Sequence, residues 1–370
     1  RQIGIGKLFH KLFASKYKNM KTKKIITAAS LVLALGLIGA ISWLPGCDRS
    51  TDGGVFKSTD GGSNWEQKVV IDEENSLSKA DVMSMAINPI DSEVIYIGVS
   101  GEGIYKTVDA GGTWRRVLPS EVDIFAIAID PQDPNIVYAS SLDGNNGKIF
   151  KSPNGFEETV EEILVEAQGG LALVDIIVDH YDDNVIYAMS EEGGIFKSTD
   201  AGATWSANYW FDGNLTAITM SPTDSRVLYV GTDGEGVLKT TDGGENWTEI
   251  VDAFDEIKGA DEIMDIVSVS SDTVYGATSY GLIRTNDGGS TWEVVSSLLE
   301  PGEVAVETLV IPPQSPNIIY FANGSALHKS TNSGQTWSNW LLPTSRIISA
   351  LAIDPTNLDI VYAGVEKPED

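Results

Sequence analysis

Between residues 54 and 366 one short pattern, Ser/Thr-x-Asp-x-Gly-x-x-Trp, returns at nearly constant intervals. It stands at Ser58–Trp65, Thr107–Trp114, Ser198–Trp205, Thr240–Trp247 and Thr285–Trp292. Ser330–Trp337 keeps it with Asn332 in the Asp place, and Ser152–Gly155 is a seventh copy that lacks the second half and the Trp. The third positions are Asp60, Asp109, Asn154, Asp200, Asp242, Asp287 and Asn332, spaced 49, 45, 46, 42, 45 and 45 residues apart. A period near 45 means one supersecondary unit repeated as a propeller or solenoid.

Each box position has a physical task. The Asp carboxylate is suited to accept N–H groups of its own turn. Gly62, Gly111, Gly202, Gly244, Gly289 and Gly334 stand where a tight hairpin needs positive φ. The closing Trp, which takes six of the nine Trp residues, is suited to cover the hairpin against a neighbour. A ring of metal or sugar ligands is the functional alternative. A structural turn cap is favoured, because a site is rarely needed seven times.

Around each box the chain reads as strands. An apolar first strand (Met85-Ala86-Ile87, Ala126-Ile127-Ala128) is followed by a Pro-rich turn such as Asp130–Asn135 or Asp354–Asp359. The second strand is expected to end on Tyr96, Tyr138, Tyr187, Tyr229, Tyr275, Tyr320 or Tyr362. A third runs into the box, as Gly194–Asp200 does, and the box Trp opens a fourth. Complete units begin near Val82, Ile124, Leu173, Leu215, Ile263 and Val306; a seventh begins at Ile347 and stops after two strands, at Val365. Its missing strands are Gly54–Asp60 and Asn64–Val70. The expectation is an all-β, seven-bladed β-propeller with four antiparallel strands per blade, the last closed by both termini, so that no blade is left half-built.

The box resembles the Asp-box, or BNR repeat, of sialidases, xyloglucan-active glycoside hydrolases, sortilin-type receptor domains and photosystem II assembly factors. The resemblance covers Gly54 to Val365. It implies a β-propeller and little about activity, since enzymes and non-enzymes share the box.

Residues 1–46 form a leader with eight Lys or Arg and no Asp or Glu. From Met20, the expected start, a basic region leads into an apolar run from Ile25 to Leu44, a secretory signal. Residues 1–19 read as upstream translation. Leu44-Pro45-Gly46-Cys47 resembles the bacterial lipobox, which makes Cys47, the single cysteine, a lipid anchor. An uncleaved transmembrane helix is the alternative, since twenty apolar residues span a bilayer. Either way the remainder lies on the extracytoplasmic side, exported and membrane-anchored. Residues 47–53 form a tether of at most roughly 25 Å, and 54–366 the propeller.

Without the leader, 17 Lys or Arg face 53 Asp or Glu, a formal net of −36. That excludes nucleic acid as a natural partner. Seven basic residues, Lys57, Lys106, Lys151, Lys197, Lys239, Arg284 and Lys329, directly precede the boxes. A cationic rim for an anionic glycan is one reading; pairing with acidic turn residues of the same or a neighbouring blade is favoured.

Strand alternation puts boxes and first-to-second turns on one face, and second-to-third turns and interblade loops on the other. The latter vary from blade to blade, and variable loops on a rigid scaffold are where binding concentrates. Glu102, Asp143, Glu191, Asp212, Asp233, Glu235, Asp255, Glu256, Tyr280 and Arg346 are the candidate ligand-binding residues, with Phe211 as a second stacking ring. The tether joins a third strand, so this loop face is expected to lie towards the bilayer.

Known chemistries fit poorly. Sialidases use an arginine triad and a Tyr nucleophile; of Arg49, Arg115, Arg116, Arg226, Arg284 and Arg346, only Arg346 enters an inner strand from the loop face. His180 and His328 lack zinc-ligand spacing, and no cofactor motif is found. Xyloglucan-active enzymes typically pair two propellers across a cleft, whereas one is read here. The expected role is a binding or assembly scaffold for a protein or glycan partner. The alternative is a glycoside hydrolase using paired loop-face carboxylates.

Overall fold

The computed structural model describes residues 51–368 apart from 120, 166–170, 255–256, 258, 298–299 and 303. It contains seven four-stranded antiparallel sheets. Blade 1 is built from Val82–Ile87, Ile95–Val99, Gly103–Thr107 and Arg115–Leu118, in that spatial order. Blades 2 to 6 repeat the scheme from first strands Asp123–Ile129, Leu173–Val178, Leu215–Met220, Ile263–Ser268 and Thr308–Val310. Blade 7 runs Glu66–Lys68, Gly54–Ser58, Val361–Glu366, Ile347–Ile353, with Gly54 opposite Val365 and Ser58 opposite Val361. The expected closure by both termini is the observed one.

Neighbouring first strands touch, so they encircle the axis, while fourth strands face outward. The second strands of blades 1, 3, 4 and 5 are buried throughout. Seven apolar clusters fill the seven seams between blades. Two expected boundaries shift. The Tyr of each second strand lies near its beginning, as Tyr96 does in Ile95–Val99, because the residues after it are the buried centre of the blade. Blade 6 pairs from Thr308 rather than Val306. In the other six first strands the register slips one residue at the same place, between Val82 and Ser84 in blade 1, for example. Bulges of this kind add twist.

The box is held by a fixed set of bonds. In blade 3 the Ser198 hydroxyl accepts the Gly202 N–H at 2.9 Å and donates to Asp200 at 2.9 Å. Asp200 in turn accepts the Thr204 N–H at 2.7 Å and its hydroxyl at 2.6 Å. Gly202 has φ +89°, as the hairpin requires. These bonds hold the Asp200 carboxyl below the usual range, the Thr204 hydroxyl first among them. Asp60 and Asp242, bonded likewise by Asn64 and Asn246, are pulled down to about 2. Asp60, Asp109 and Asp287 repeat these bonds, and Asn332 does so with its amide. Burial divides the roles: Ser198 is 1% exposed, whereas Asp200 lies at the surface.

The truncated copy keeps this frame with one change. Phe156 takes the place of the Gly, at φ +61°, and its N–H reaches the Ser152 hydroxyl at 2.7 Å. Its ring is buried in the seam between blades 1 and 2, beside Tyr96 and Leu118.

The basic residue before each box lies opposite the second-strand Tyr, its cationic group 5.0–5.8 Å from the ring centroid. In six blades it donates to a box carbonyl of the next blade: Lys57 to Ala110, Lys106 to Gly155, Lys151 to Ala201, Lys197 to Gly243, Lys239 to Gly288 and Arg284 to Ser333. Lys106, Arg284 and Lys329 also meet Glu157, Glu293 and Asp359. Neither a free cationic rim nor a ring of ion pairs is present. Backbone oxygen is the common partner.

Candidate functional site

The loop face is assembled from second-to-third turns and interblade loops sewn together by backbone bonds. Across the seam of blades 3 and 4, Phe211 N–H reaches Gly193 O at 2.9 Å, Leu215 N–H reaches Glu191 O at 2.8 Å, and Asp233 N–H reaches Asn214 O at 3.1 Å. Gly236 N–H continues to Asp261 O at 3.0 Å. Glu191, Asp212, Asp233 and Glu235 thus share one arc. Its described loops (191–193, 211–214, 233–236 and 259–262) contain no Lys or Arg.

Other expected ligands are engaged locally. The Glu102 carboxylate accepts the Tyr105 hydroxyl at 2.7 Å; burial, with that bond second, pushes the Tyr105 phenol up to about 12. Asp143 binds Lys148 at 2.8 Å, and Lys148 also meets Glu162 at 3.1 Å. Tyr280 is half-buried against Gly302 and Gly259. Phe211 is a core residue, 3% exposed. Asp255 and Glu256 lie outside the described residues, as do the apolar run Ile25–Leu44 and Cys47.

Arg346 is 2% exposed and holds chain segments rather than facing solvent. Its guanidinium bonds the Asp81 carboxylate, Ala80 O at 3.1 Å and Lys79 O at 3.2 Å, with Asp52 at 3.6 Å. Asp52 accepts the Ser345 N–H at 2.7 Å and its hydroxyl at 2.8 Å, and Thr344 donates to its carbonyl at 2.8 Å. Burial opposes ionisation of Asp52, yet the bonds from Ser345 and Thr344 outweigh it and keep the carboxyl low. Gln67 pins the carbonyls of Thr51 and Gly53 at 3.1 and 2.8 Å. The segment leading into blade 7 therefore enters from the loop face.

One carboxyl behaves differently. Glu307 stands just before the first strand of blade 6, where burial pushes it up to about 7. Both its oxygens accept the Gly324 N–H, at 3.1 Å each. It occupies the column filled in the other blades by Met83, Phe125, Val174, Thr216, Met264 and Ser349, all uncharged. That departure from the repeat was a visible signal. Among the described residues no group of His, Cys, Asp and Glu is arranged to hold a metal, and no helix is long and apolar enough to cross a membrane.

No family model matches the chain. A xyloglucanase of Acetivibrio thermocellus is 26% identical over 170 residues, 45% of this chain and 16% of that enzyme. One from Hypocrea jecorina is 30% identical over 145 residues, 34% of this chain and 17% of the enzyme. The chain thus spans less than a fifth of the length of these relatives. Among solved structures, the GH74 xyloglucanase of Xanthomonas campestris superposes with a TM-score of 0.64 at 17% identity, covering 78% of this chain and 51% of that one. YCF48 bound to a D1 peptide gives 0.61 at 15% identity, covering 79% and 94%. YCF48 from Cyanidioschyzon merolae gives 0.60 at 12%, covering 79% and 97%. At these identities what is shared is the β-propeller fold.

Proposed function

We propose that this chain is an Asp-box propeller tethered at the extracytoplasmic side of a membrane, by lipid on Cys47 or by an uncleaved helix, and that its loop face is a docking scaffold. The partner is a protein segment or a glycan presented close to the bilayer. The observation that carries this reading is the anchorage of Asp52 by Ser345, Thr344 and Arg346, which brings the N-terminal segment in on the loop face. The short tether then keeps that face near the membrane. The carboxylates of Asp212, Asp233 and Glu235 on that arc favour a partner with basic or hydrogen-bond-donating groups. YCF48, 94% of which superposes on this chain, is seen bound to a D1 peptide, which supports the scaffold reading.

A photo-crosslinking residue placed at Asn145, exposed at the tip of the blade 2 hairpin, tests this against one at Thr223, exposed on the box face. Labelling of membrane components from Asn145 and not from Thr223 is expected. The reverse pattern sinks the orientation. Hydrolysis of a glycan is the second reading, favoured by the raised carboxyl of Glu307, since a general acid must be protonated near neutrality. Release of reducing ends from xyloglucan, abolished by Glu307→Gln, would select it.

A further inference from the structure

Asn-Gly occurs three times, at Asn146–Gly147, Asn154–Gly155 and Asn323–Gly324. Glycine leaves its own nitrogen open to attack the preceding side-chain amide carbon, so these are the peptide bonds most able to cyclise. The three differ in what their Gly N–H faces. Gly147 is paired with Leu142 inside a hairpin. The Gly155 N–H is tied to Asn135 O at 2.7 Å. The Gly324 N–H meets a base, the two carboxylate oxygens of Glu307 at 3.1 Å each.

The surrounding turn is short and open. Asn323 ends the second strand of blade 6 and Ala326 begins the third, facing it directly. Gly324 has φ +54°, and nothing lies within 4 Å of the place a Cβ would occupy. The Asn323 side-chain nitrogen donates to Ala305 O at 2.6 Å. This bond must break for the amide carbon to swing onto the Gly324 nitrogen. Glu307, partly buried and raised to about 7, is a stronger base than an exposed carboxylate and is still largely ionised in mild alkali.

We propose that the Asn323–Gly324 turn is a self-modifying site, in which Glu307 is the general base for cyclisation of Asn323 to a succinimide. Glu307 takes the Gly324 N–H proton as that nitrogen bonds to Cγ of Asn323. The Cγ–Nδ2 bond breaks, and Nδ2 leaves as ammonia carrying a proton handed on by Glu307. Water then opens the ring at one of its two carbonyls, giving an aspartyl or isoaspartyl link at position 323. One water is consumed, one ammonia is released, and nothing is oxidised or reduced. The product sets a second carboxylate close to Glu307 and removes the donor to Ala305. The blade 6 turn then gains negative charge and loses one of its ties on the loop face.

The test is peptide mass mapping of the full chain, freshly purified and then held folded in mildly alkaline buffer. A gain of one mass unit with isoaspartate is expected at position 323, about ten-fold or more ahead of position 154, as general-base help implies. Glu307→Gln, checked for a native melt, should bring position 323 back to the rate at 154. In urea the two sites should react alike, because the base is no longer held in place. Equal rates at 323 and 154 in the folded wild-type chain overturn the proposal without any variant. An unchanged rate at 323 in folded Glu307→Gln overturns it too.

Discussion

The ammonium of Lys197 donates a 2.7 Å hydrogen bond to the carbonyl of Gly243, one blade further on. The same nitrogen lies 5.3 Å from the centroid of Tyr187, whose hydroxyl donates to that carbonyl at 2.8 Å. A strand residue, its cross-strand ring and the neighbour's turn form one clasp. The acceptor is a backbone oxygen, so the clasp needs no acidic residue, although the chain carries 53 Asp and Glu. A charged donor on a neutral acceptor in a half-buried seam is stronger than an exposed ion pair.

Replacing Lys197 with Met should therefore lower stability by about 1–3 kcal/mol, through the lost bond and the lost ring contact. The loss should be nearly the same in low and high salt. Urea melts of both proteins at two ionic strengths measure it. A difference that vanishes in high salt would mean that carboxylates, not Gly243 O, hold the lysine.

Within the box, Ser198 matters more than Asp200. Ser198→Ala strands the buried Gly202 N–H, which costs about 1–3 kcal/mol. Asp200→Ala exposes the Thr204 N–H to water, a ready substitute, so its effect should be the smaller of the two. Paired thermal melts decide the order. A larger loss for Asp200→Ala would return the Asp to the central place that its recurrence suggests.

Phe156 gives a reversed glycine effect. Phe156→Ala should cost about 3–5 kcal/mol, from the emptied seam between blades 1 and 2. Phe156→Gly loses the same ring but relieves a left-handed backbone, worth about 1–2 kcal/mol. The Gly variant should thus be the more stable of the pair, opposite to the usual order. Equal or inverted melting temperatures would refute the strain at this position.

Glu307 predicts a pH dependence. Its folded pKa is raised by burial, from 4.5 to about 7, so the neutral form is the one the fold prefers. The associated stability is complete below pH 4.5, falls as pH rises towards 7, and is gone above that. The loss amounts to at most about 3 kcal/mol. Glu307→Gln should flatten that fall, gaining on the wild type at pH 8 and not at pH 4. His328 acts at the other end: it is buried, stacks on Phe321 at 4.5 Å, and burial drops it to about 4. Protonating it must weaken the fold as pH drops from 6.5 towards 4, and His328→Phe should remove that weakness.

The termini give the fifth test. Because Gly54–Ser58 is the third strand of blade 7, deleting residues 54–70 should abolish the cooperative melt rather than trim the molecule. A variant that melts as sharply as the full chain would disprove closure by both ends.

The period of the box was enough to read blade number, strand order and closure, because each unit must bury the same faces. It was not enough to rank residues inside the box. Asp60 and its counterparts recur as reliably as Ser58, and recurrence carries no information on depth. Lys197 was legible as a ring member, but its partner was not, since a backbone carbonyl has no letter in the sequence. Arg346 looked like a loop-face ligand because it enters an inner strand there; burial against Asp52 and Asp81 could not be read from one position. Glu307 is legible only once the blades are aligned, as a lone carboxylate in a column of Met, Phe, Val, Thr and Ser. Asp212 and Tyr280 sit in loops that match nothing in other blades, which leaves no pattern to reason from.

The pairing of Gly54–Ser58 with Val361–Glu366 also sets an order in time. The first strand of the propeller to leave the ribosome is among the last to find its partner, more than three hundred residues later. Until then, six blades stand as an open crescent with apolar flanks at both tips. Only a chain synthesised through Val361–Glu366 can shut that crescent, so closure of the ring itself checks that this strand has been made. A prematurely ended product stays recognisable as incomplete.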